Sequence, residues 1–227
     1  MGAVIDLFRV LFEPTEVFEG VRERPRFLMP AIALSIIVMV VIYFMGPYNQ
    51  AAMANRMAQM TQQNPQAAAQ AAKFQGLAPL FGPVGVFIGL LIGAGLLWLL
   101  VMLFAGGEAK FKTLLSVAAY TALPSILLQV ATLLVLKMKG VEAIASPEDL
   151  RPPLGLNLLA PNATGFTGAV LAGINPFSIW GMVLTAIGVG VTHKTGKGTA
   201  YTVAIVATVL GILIGAFFTS LGSRGAS

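Results

Sequence analysis

Five long apolar runs without a single charged residue constrain this chain more than any other feature. They are Phe27–Phe44, Val84–Phe104, Thr113–Leu136, Pro176–Thr192 and Ala200–Phe218. A helix needs roughly 20 apolar residues to cross a bilayer, with roughly 17 as the lower limit, so each run is long enough. Only 10% of the residues are charged and 57% are hydrophobic, whereas a soluble domain is about a quarter charged. The sequence predicts an all-α integral membrane protein with five transmembrane helices.

The charged segment before the first run has the pattern of amphipathic helices. AVIDLFRVLF is one such stretch, and Pro14 begins a second one, PTEVFEGVRERP. Helices of this kind lie along the lipid headgroups, so we predict an interfacial segment over residues 1–26, with a plain charged leader as the alternative. The five-span membrane domain then covers residues 27–221. Its external loops are expected at 45–83 and 137–175, and residues 222–227 form a C-terminal tail.

The distribution of Lys and Arg predicts the orientation, because cytoplasmic segments are enriched in these residues. Placing the N-terminus inside assigns eight of the 14 basic residues to the cytoplasm: Arg9, Arg22, Arg24, Arg26, Lys110, Lys112, Lys194 and Lys197. We therefore predict a cytoplasmic N-terminus and an external C-terminus. The four lysines lie on two short turns, where they are candidates for contact with a partner or with anionic lipid.

The first external segment is rich in Gln, Ala and Met. Asn64 and Pro65 should divide it into two helices, with Asn64 capping the second. Met53, Met57 and Met60 recur on one helical face, and two interpretations are open. Thioethers can bind copper(I), but methionines also form the apolar face of packed helices. We favour the second interpretation, because no Cys and no nearby His would complete a copper site.

The residue types that most chemistry requires are scarce. The chain has no Cys and one His, His193, and no span contains an Asp, Glu, Lys, Arg or His that could mark a proton relay or an ion path. We expect no catalytic residue, no cofactor, no enzymatic activity and no nucleic-acid partner. For polar residues inside the spans, such as Ser35 and Thr121, we expect hydrogen bonds between helices.

Glycine and proline indicate how the spans pack. Small residues spaced by four let helix backbones approach closely in lipid, and such rows are formed by Gly85, Gly89 and Gly93 and by Ala207, Gly211 and Gly215. We predict tight packing along these rows, within the chain or between copies. Pro124 removes a backbone hydrogen bond in the middle of the third span and should kink it.

Three stretches carry a resemblance to a known family. LFEPTEVFEGVRERP, before the first span, resembles the entry segment of the Yip domain family of polytopic membrane proteins. FAGGEAKFKTLLSVAAYTALPSILL resembles the second hairpin of that family, and INPFSIWGMVLTAIGVGVTHKTGKGTAY resembles its fourth-span pattern. In the third stretch, Phe177, Trp180 and Leu184 are in register with the family pattern. The resemblance extends over all five spans, while the two external loops match nothing in particular.

The resemblance implies a function through partners rather than a chemistry. Eukaryotic members of the family are linked to membrane trafficking, and some bacterial relatives accompany ABC-type export systems as assembly or protective partners. The Ala- and Gly-rich loops suggest a bacterial inner-membrane protein. We therefore expect a non-enzymatic scaffold, assembly or accessory factor whose partners are the bilayer and membrane proteins, a transporter or a second copy of itself among them. The alternative is a small-solute transporter or channel.

Overall fold

The computed structural model describes residues 2–106, 108–151 and 153–224, and these contain nine α-helices. The helices are Gly2–Arg9 (α1), Pro14–Glu23 (α2), Leu28–Gln63 (α3), Pro65–Ala105 (α4), Phe111–Thr121 (α5), Leu123–Lys139 (α6), Gly165–Gly173 (α7), Pro176–His193 (α8) and Lys197–Arg224 (α9). Short 3-10 turns at Val141–Ala143, Pro147–Leu150 and Leu156–Leu159 lie between α6 and α7.

Five helical stretches have the length and hydropathy of membrane spans. They are Leu28–Asn55, Pro79–Ala105, Phe111–Lys139, Pro176–His193 and Lys197–Ser220. Each contains or closely matches one of the apolar runs, and the described residues form no strand. The predicted fold class, an all-α integral membrane protein with five spans, is confirmed.

The segment between the first two spans is helical in both halves. The chain breaks at Asn64, whose Oδ1 accepts a hydrogen bond from the Ala67 backbone N–H at 3.0 Å, as the sequence predicted. Neither half is a separate helix, however, because each continues its span without interruption. At 1.5 Å per residue, the 36 residues of α3 extend over about 54 Å, against a hydrocarbon core of about 30 Å. Residues 45–83 therefore form a helical arm rather than an irregular loop.

The third span is divided into two helices at Ala122, between α5 and α6. Pro124 follows the break and is buried, and it faces Gly181 on α8. A Cβ on Gly181 would lie 3.6 Å from the Thr121 carbonyl oxygen and 4.0 Å from Pro124 Cβ. The broken helix thus packs closely against α8, at the position where the sequence predicted a kink.

The segment before the fourth span is ordered by local hydrogen bonds. The Asp149 carboxylate accepts from the Ser146 backbone N–H at 2.8 Å and from the Ser146 hydroxyl at 3.0 Å, and the Ala145 backbone N–H holds the pKa of Asp149 below its usual value. Asn175 Oδ1 accepts from the N–H groups of Phe177 and Ser178 and so caps the first turn of α8.

The main core lies at the end of the bundle where α1 and α2 pack, which we call the amino-terminal end. It buries apolar residues of α2, α3, α4, α5 and α8. A second, smaller cluster lies toward the arm, where Tyr48 and Ala52 of α3 pack with Leu133, Leu136 and Ile144. Each end of the bundle is thus held together by its own cluster of packed side chains.

Candidate functional surfaces

The N-terminal helix α2 packs its apolar face against the other helices of the protein. Val17, Phe18 and Val21 are buried, and Phe18 is completely enclosed. Its ring meets the ring of Tyr120 edge-on, with 6.4 Å between centroids and an interplanar angle of 83°. The amphipathic pattern is present, and the apolar face of α2 is covered by α5 and α8; the position of residues 1–26 at the membrane interface stays a prediction.

Helix α1 has two apolar faces, and only one of them meets the bundle. Leu7 is fully buried, whereas Ile5 and Phe8 are exposed, as is Phe12 in the turn after the helix. The exposed face is available to lipid, as an interfacial helix requires. Residues 1–26 therefore combine a docked helix with a helix that can also contact the membrane surface.

A cluster of ion pairs joins α1 to α2. The Arg9 guanidinium contacts Glu13 at 2.6 Å, Glu16 at 2.9 Å and Asp6 at 3.5 Å. The hydrogen bond to Glu13 is the main cause of a raised pKa of Arg9. These groups are exposed, so the cluster orients the two helices without adding much to stability.

A depression of about 340 Å³ lies beside this cluster, with Tyr120 at its base. The Tyr120 hydroxyl lies 3.5 Å from the Ala3 carbonyl oxygen. The charged residues around the depression are Asp6, Arg9, Glu16, Glu23, Arg24 and Arg26. Since acids and bases are equal in number, the depression attracts neither anions nor cations strongly.

The four lysines predicted as contact residues are all exposed at the amino-terminal end of the bundle. Lys110 and Lys112 flank the start of α5, and Lys194 and Lys197 form the turn between α8 and α9. The two turns share an end because α5 and α8 both pack around Phe18, through Val117 and Gly188. Among the described residues, none of these lysines has a carboxylate within 4 Å.

His193 lies at the end of α8, next to the lysine turn. Its Nδ1 is 2.9 Å from the Thr192 hydroxyl. In the part of the chain that the structure describes, His193 Nε2 and Thr195 Oγ1 are buried without a hydrogen-bond partner. The described residues contain no group of three His, Cys, Asp or Glu side chains that could hold a metal ion.

The three methionines of the arm, Met53, Met57 and Met60, are half-buried along α3. Partial burial suits the apolar face of a packed helix. The copper(I) alternative is not tested by this arrangement.

The glycines of the predicted rows do not pack closely against another helix of the described chain. A Cβ on Gly85, Gly89, Gly93, Gly211 or Gly215 would meet no atom within 4 Å. The five glycines therefore make no close helix contact within the described chain, although Ala207 packs against the core, and packing along the rows stays a prediction. The reason is geometric: four-residue spacing aligns small residues on one face but does not say which face another helix covers.

The glycines that do allow close approach lie elsewhere. A Cβ on Gly188 would lie 2.8 Å from Val117 Cγ1 and 3.0 Å from Phe18 Cζ, and one on Gly82 would lie 2.9 Å from Ile42 Cδ1. The sequence did not reveal that Gly188 of α8 packs against Phe18 of α2. The only signal was the apolar spacing of Val17, Phe18 and Val21, which we assigned to lipid.

Several hydroxyl groups inside the spans donate their hydrogen bonds to backbone carbonyls of their own helices. Ser35 donates to the Ala31 carbonyl at 2.7 Å and Thr121 to the Ala118 carbonyl at 3.4 Å, so the expected bonds between helices are absent at these two residues. Thr132 and Thr185 likewise donate to the carbonyls of Leu128 and Gly181. In such a bond the hydroxyl donor is satisfied by its own helix, so it does not need a partner on a neighbouring helix.

Five apolar spans, of which the second and third and the fourth and fifth are joined by short turns, dock at one end onto two N-terminal helices. They define a polytopic integral membrane protein. Comparison with known families matches the Yip1 domain over residues 8–218. The chain belongs to the Yip1 domain family, which confirms the resemblance found in the sequence.

One relative of the chain is a bacterial membrane protein. The chain is 30% identical over 216 residues to the membrane protein YknW of Bacillus subtilis (strain 168), which covers 92% of this chain and 86% of that protein. No solved structure matches the chain.

Proposed function

We propose that this protein is a non-enzymatic, partner-binding component of a bacterial inner membrane, acting as a scaffold, assembly or accessory factor. The proposal rests on one observation: Lys110, Lys112, Lys194 and Lys197 form an exposed basic surface at the amino-terminal end of the bundle. Four exposed cations, none with a carboxylate partner among the residues that the structure describes, attract an acidic protein surface. By family resemblance, the partner belongs to an ABC-type export system or to a membrane trafficking assembly.

The runner-up function, a small-solute transporter or channel, needs a polar path across the bundle. The described hydroxyls of Ser35, Thr132 and Thr185 bond to carbonyls of their own helices. A transport path would instead present such groups to a shared cavity. This arrangement favours partner binding over transport.

Replacing the four lysines with Gln tests the basic surface. We expect the variant to insert and accumulate like the parent, because all four side chains are exposed, but to lose the proteins that co-purify with the parent in a mild detergent. Mass spectrometry of the purified material identifies the partners. The matched control is the variant with four Lys→Arg changes, which keeps the charge and should keep the partners.

Two outcomes contradict the lysine surface as a docking site. One is a Gln variant that retains every partner of the parent. The other is loss of partners only in proportion to loss of protein from the membrane, which points to lipid attraction. Either result makes the helical arm at residues 45–83 the better candidate.

The orientation is tested by single-cysteine labelling, which is clean because the chain has no native Cys. We expect Lys110→Cys and Lys197→Cys to react only with reagents that reach the cytoplasm. Gln62→Cys, at the tip of the arm, should react with an impermeant maleimide from outside. Labelling of Lys110→Cys by the impermeant reagent in intact cells would reverse the proposed topology.

A further inference from the structure

A groove of about 350 Å³ lies where the N-terminal segment meets the first and third spans. Arg26 and Lys112 line it together with Leu28 and Met29, and the backbone of α1 closes one side at Ala3. Arg26 immediately precedes the first span and Lys112 lies at the start of the third. Residues far apart in the sequence therefore place two cations in one groove at the level of the lipid headgroups.

The groove is electrostatically one-sided. Among the described residues, no Asp or Glu lines it, and neither Arg26 nor Lys112 has a carboxylate within 4 Å. Arg26 also borders the depression above Tyr120, where acids balance the arginines. In the groove, no acidic side chain among the described lining residues balances the two cations, so the groove favours an anionic ligand.

An apolar stripe leads out of the groove along the first span. Leu28, Ile32 and Ile36 follow one another at four-residue spacing and are 51%, 40% and 54% exposed. Residues four apart lie above one another on the same helix face. The stripe therefore begins beside the two cations and runs toward the middle of the membrane, as an acyl chain does.

We propose that this groove binds one anionic phospholipid. Its phosphate lies between Arg26 and Lys112, with the guanidinium and the ammonium donating hydrogen bonds to the phosphate oxygens, and an acyl chain follows Leu28, Ile32 and Ile36. A zwitterionic lipid binds less well, since no acidic side chain in the groove pairs with its cationic headgroup. The site shares Lys112 with the proposed partner surface, but it has a different ligand and a different readout, so the two proposals are tested separately.

The test uses the full chain in detergent, titrated with phosphatidylglycerol or with phosphatidylcholine of the same acyl chains, and native mass spectrometry counts the bound lipids. We expect one tightly bound phosphatidylglycerol. The Arg26→Gln/Lys112→Gln variant should bind it about 30-fold more weakly, which corresponds to about 2 kcal/mol for two basic residues. Glycerol phosphate, which has the headgroup without the chains, should not compete at equal concentration.

Two control variants separate a defined site from diffuse attraction. Arg22→Gln/Arg24→Gln removes the same charge from exposed residues outside the groove and should bind like the parent. Arg26→Lys/Lys112→Arg keeps both charges and should retain the lipid. The site is overturned by equal weakening in the first control, by equal affinity for phosphatidylcholine, by competition from glycerol phosphate, or by full binding in the double Gln variant.

Discussion

Phe18→Ala will lower the free energy of unfolding by about 3–5 kcal/mol, the range for removing a buried aromatic side chain from a packed core. Phe18 is completely enclosed between α2, α5 and α8 and meets Tyr120 edge-on. The substitution leaves a cavity lined by Val117, Tyr120 and the backbone at Gly188. Thermal unfolding in detergent, followed by tryptophan fluorescence, measures the loss.

The control for this prediction is Phe12→Ala, which removes the same side chain from a residue that is 86% exposed. It should leave the unfolding temperature in detergent nearly unchanged. If the N-terminal segment were bound only to lipid, the order would reverse, and Phe12→Ala would release the segment from membranes while Phe18→Ala had little effect. That reversal would refute the docked position of α2.

Gly188→Leu is the second substitution for which we expect a large loss of stability, because the new side chain would overpack the core. Even the Cβ of the new side chain would lie 2.8 Å from Val117 and 3.0 Å from the Phe18 ring, so α2 or α5 must move away from α8. Overpacking of a filled core typically costs about 1–3 kcal/mol and sometimes more. We expect a lower unfolding temperature together with faster proteolysis of residues 1–26.

Gly89→Leu is the matched control, because a Cβ there meets no atom of the described chain within 4 Å. Its unfolding temperature should stay close to that of the parent. Loss of a dimer in size-exclusion chromatography for Gly89→Leu alone would support packing between copies along the glycine row. Equal destabilisation of the monomer by Gly89→Leu and Gly188→Leu would show that the crossing at Gly188 is not the tight one.

Features that depend on neighbouring residues in the chain could be predicted from the sequence. The five spans follow from run length and hydropathy, and the caps at Asn64 and Asn175 follow from a side-chain acceptor placed before a proline. The break near Pro124 follows from the missing backbone donor. None of these requires knowledge of what packs against the helix.

Features that depend on a distant neighbour could not be predicted in the same way. The apolar face of α2 looks the same whether lipid or protein covers it, so the pattern Val17, Phe18, Val21 did not reveal the contact with Gly188. The chain has 25 glycines, and only the assembled bundle distinguishes Gly188 from Gly89. The groove of Arg26 and Lys112 likewise arises only when the first and third spans are side by side.

The docking of α2 has a consequence for the timing of biosynthesis. Phe18 leaves the ribosome early, but the α8 surface that encloses it is made roughly 170 residues later, which at 5–20 residues per second is a delay on the order of 10 to 30 s. During that interval α8 cannot cover the apolar face of α2, which has only lipid and, once it is made, α5 to cover it. The face is fully enclosed only when the fourth span is complete, so the last step of packing around Phe18 follows the synthesis of α8.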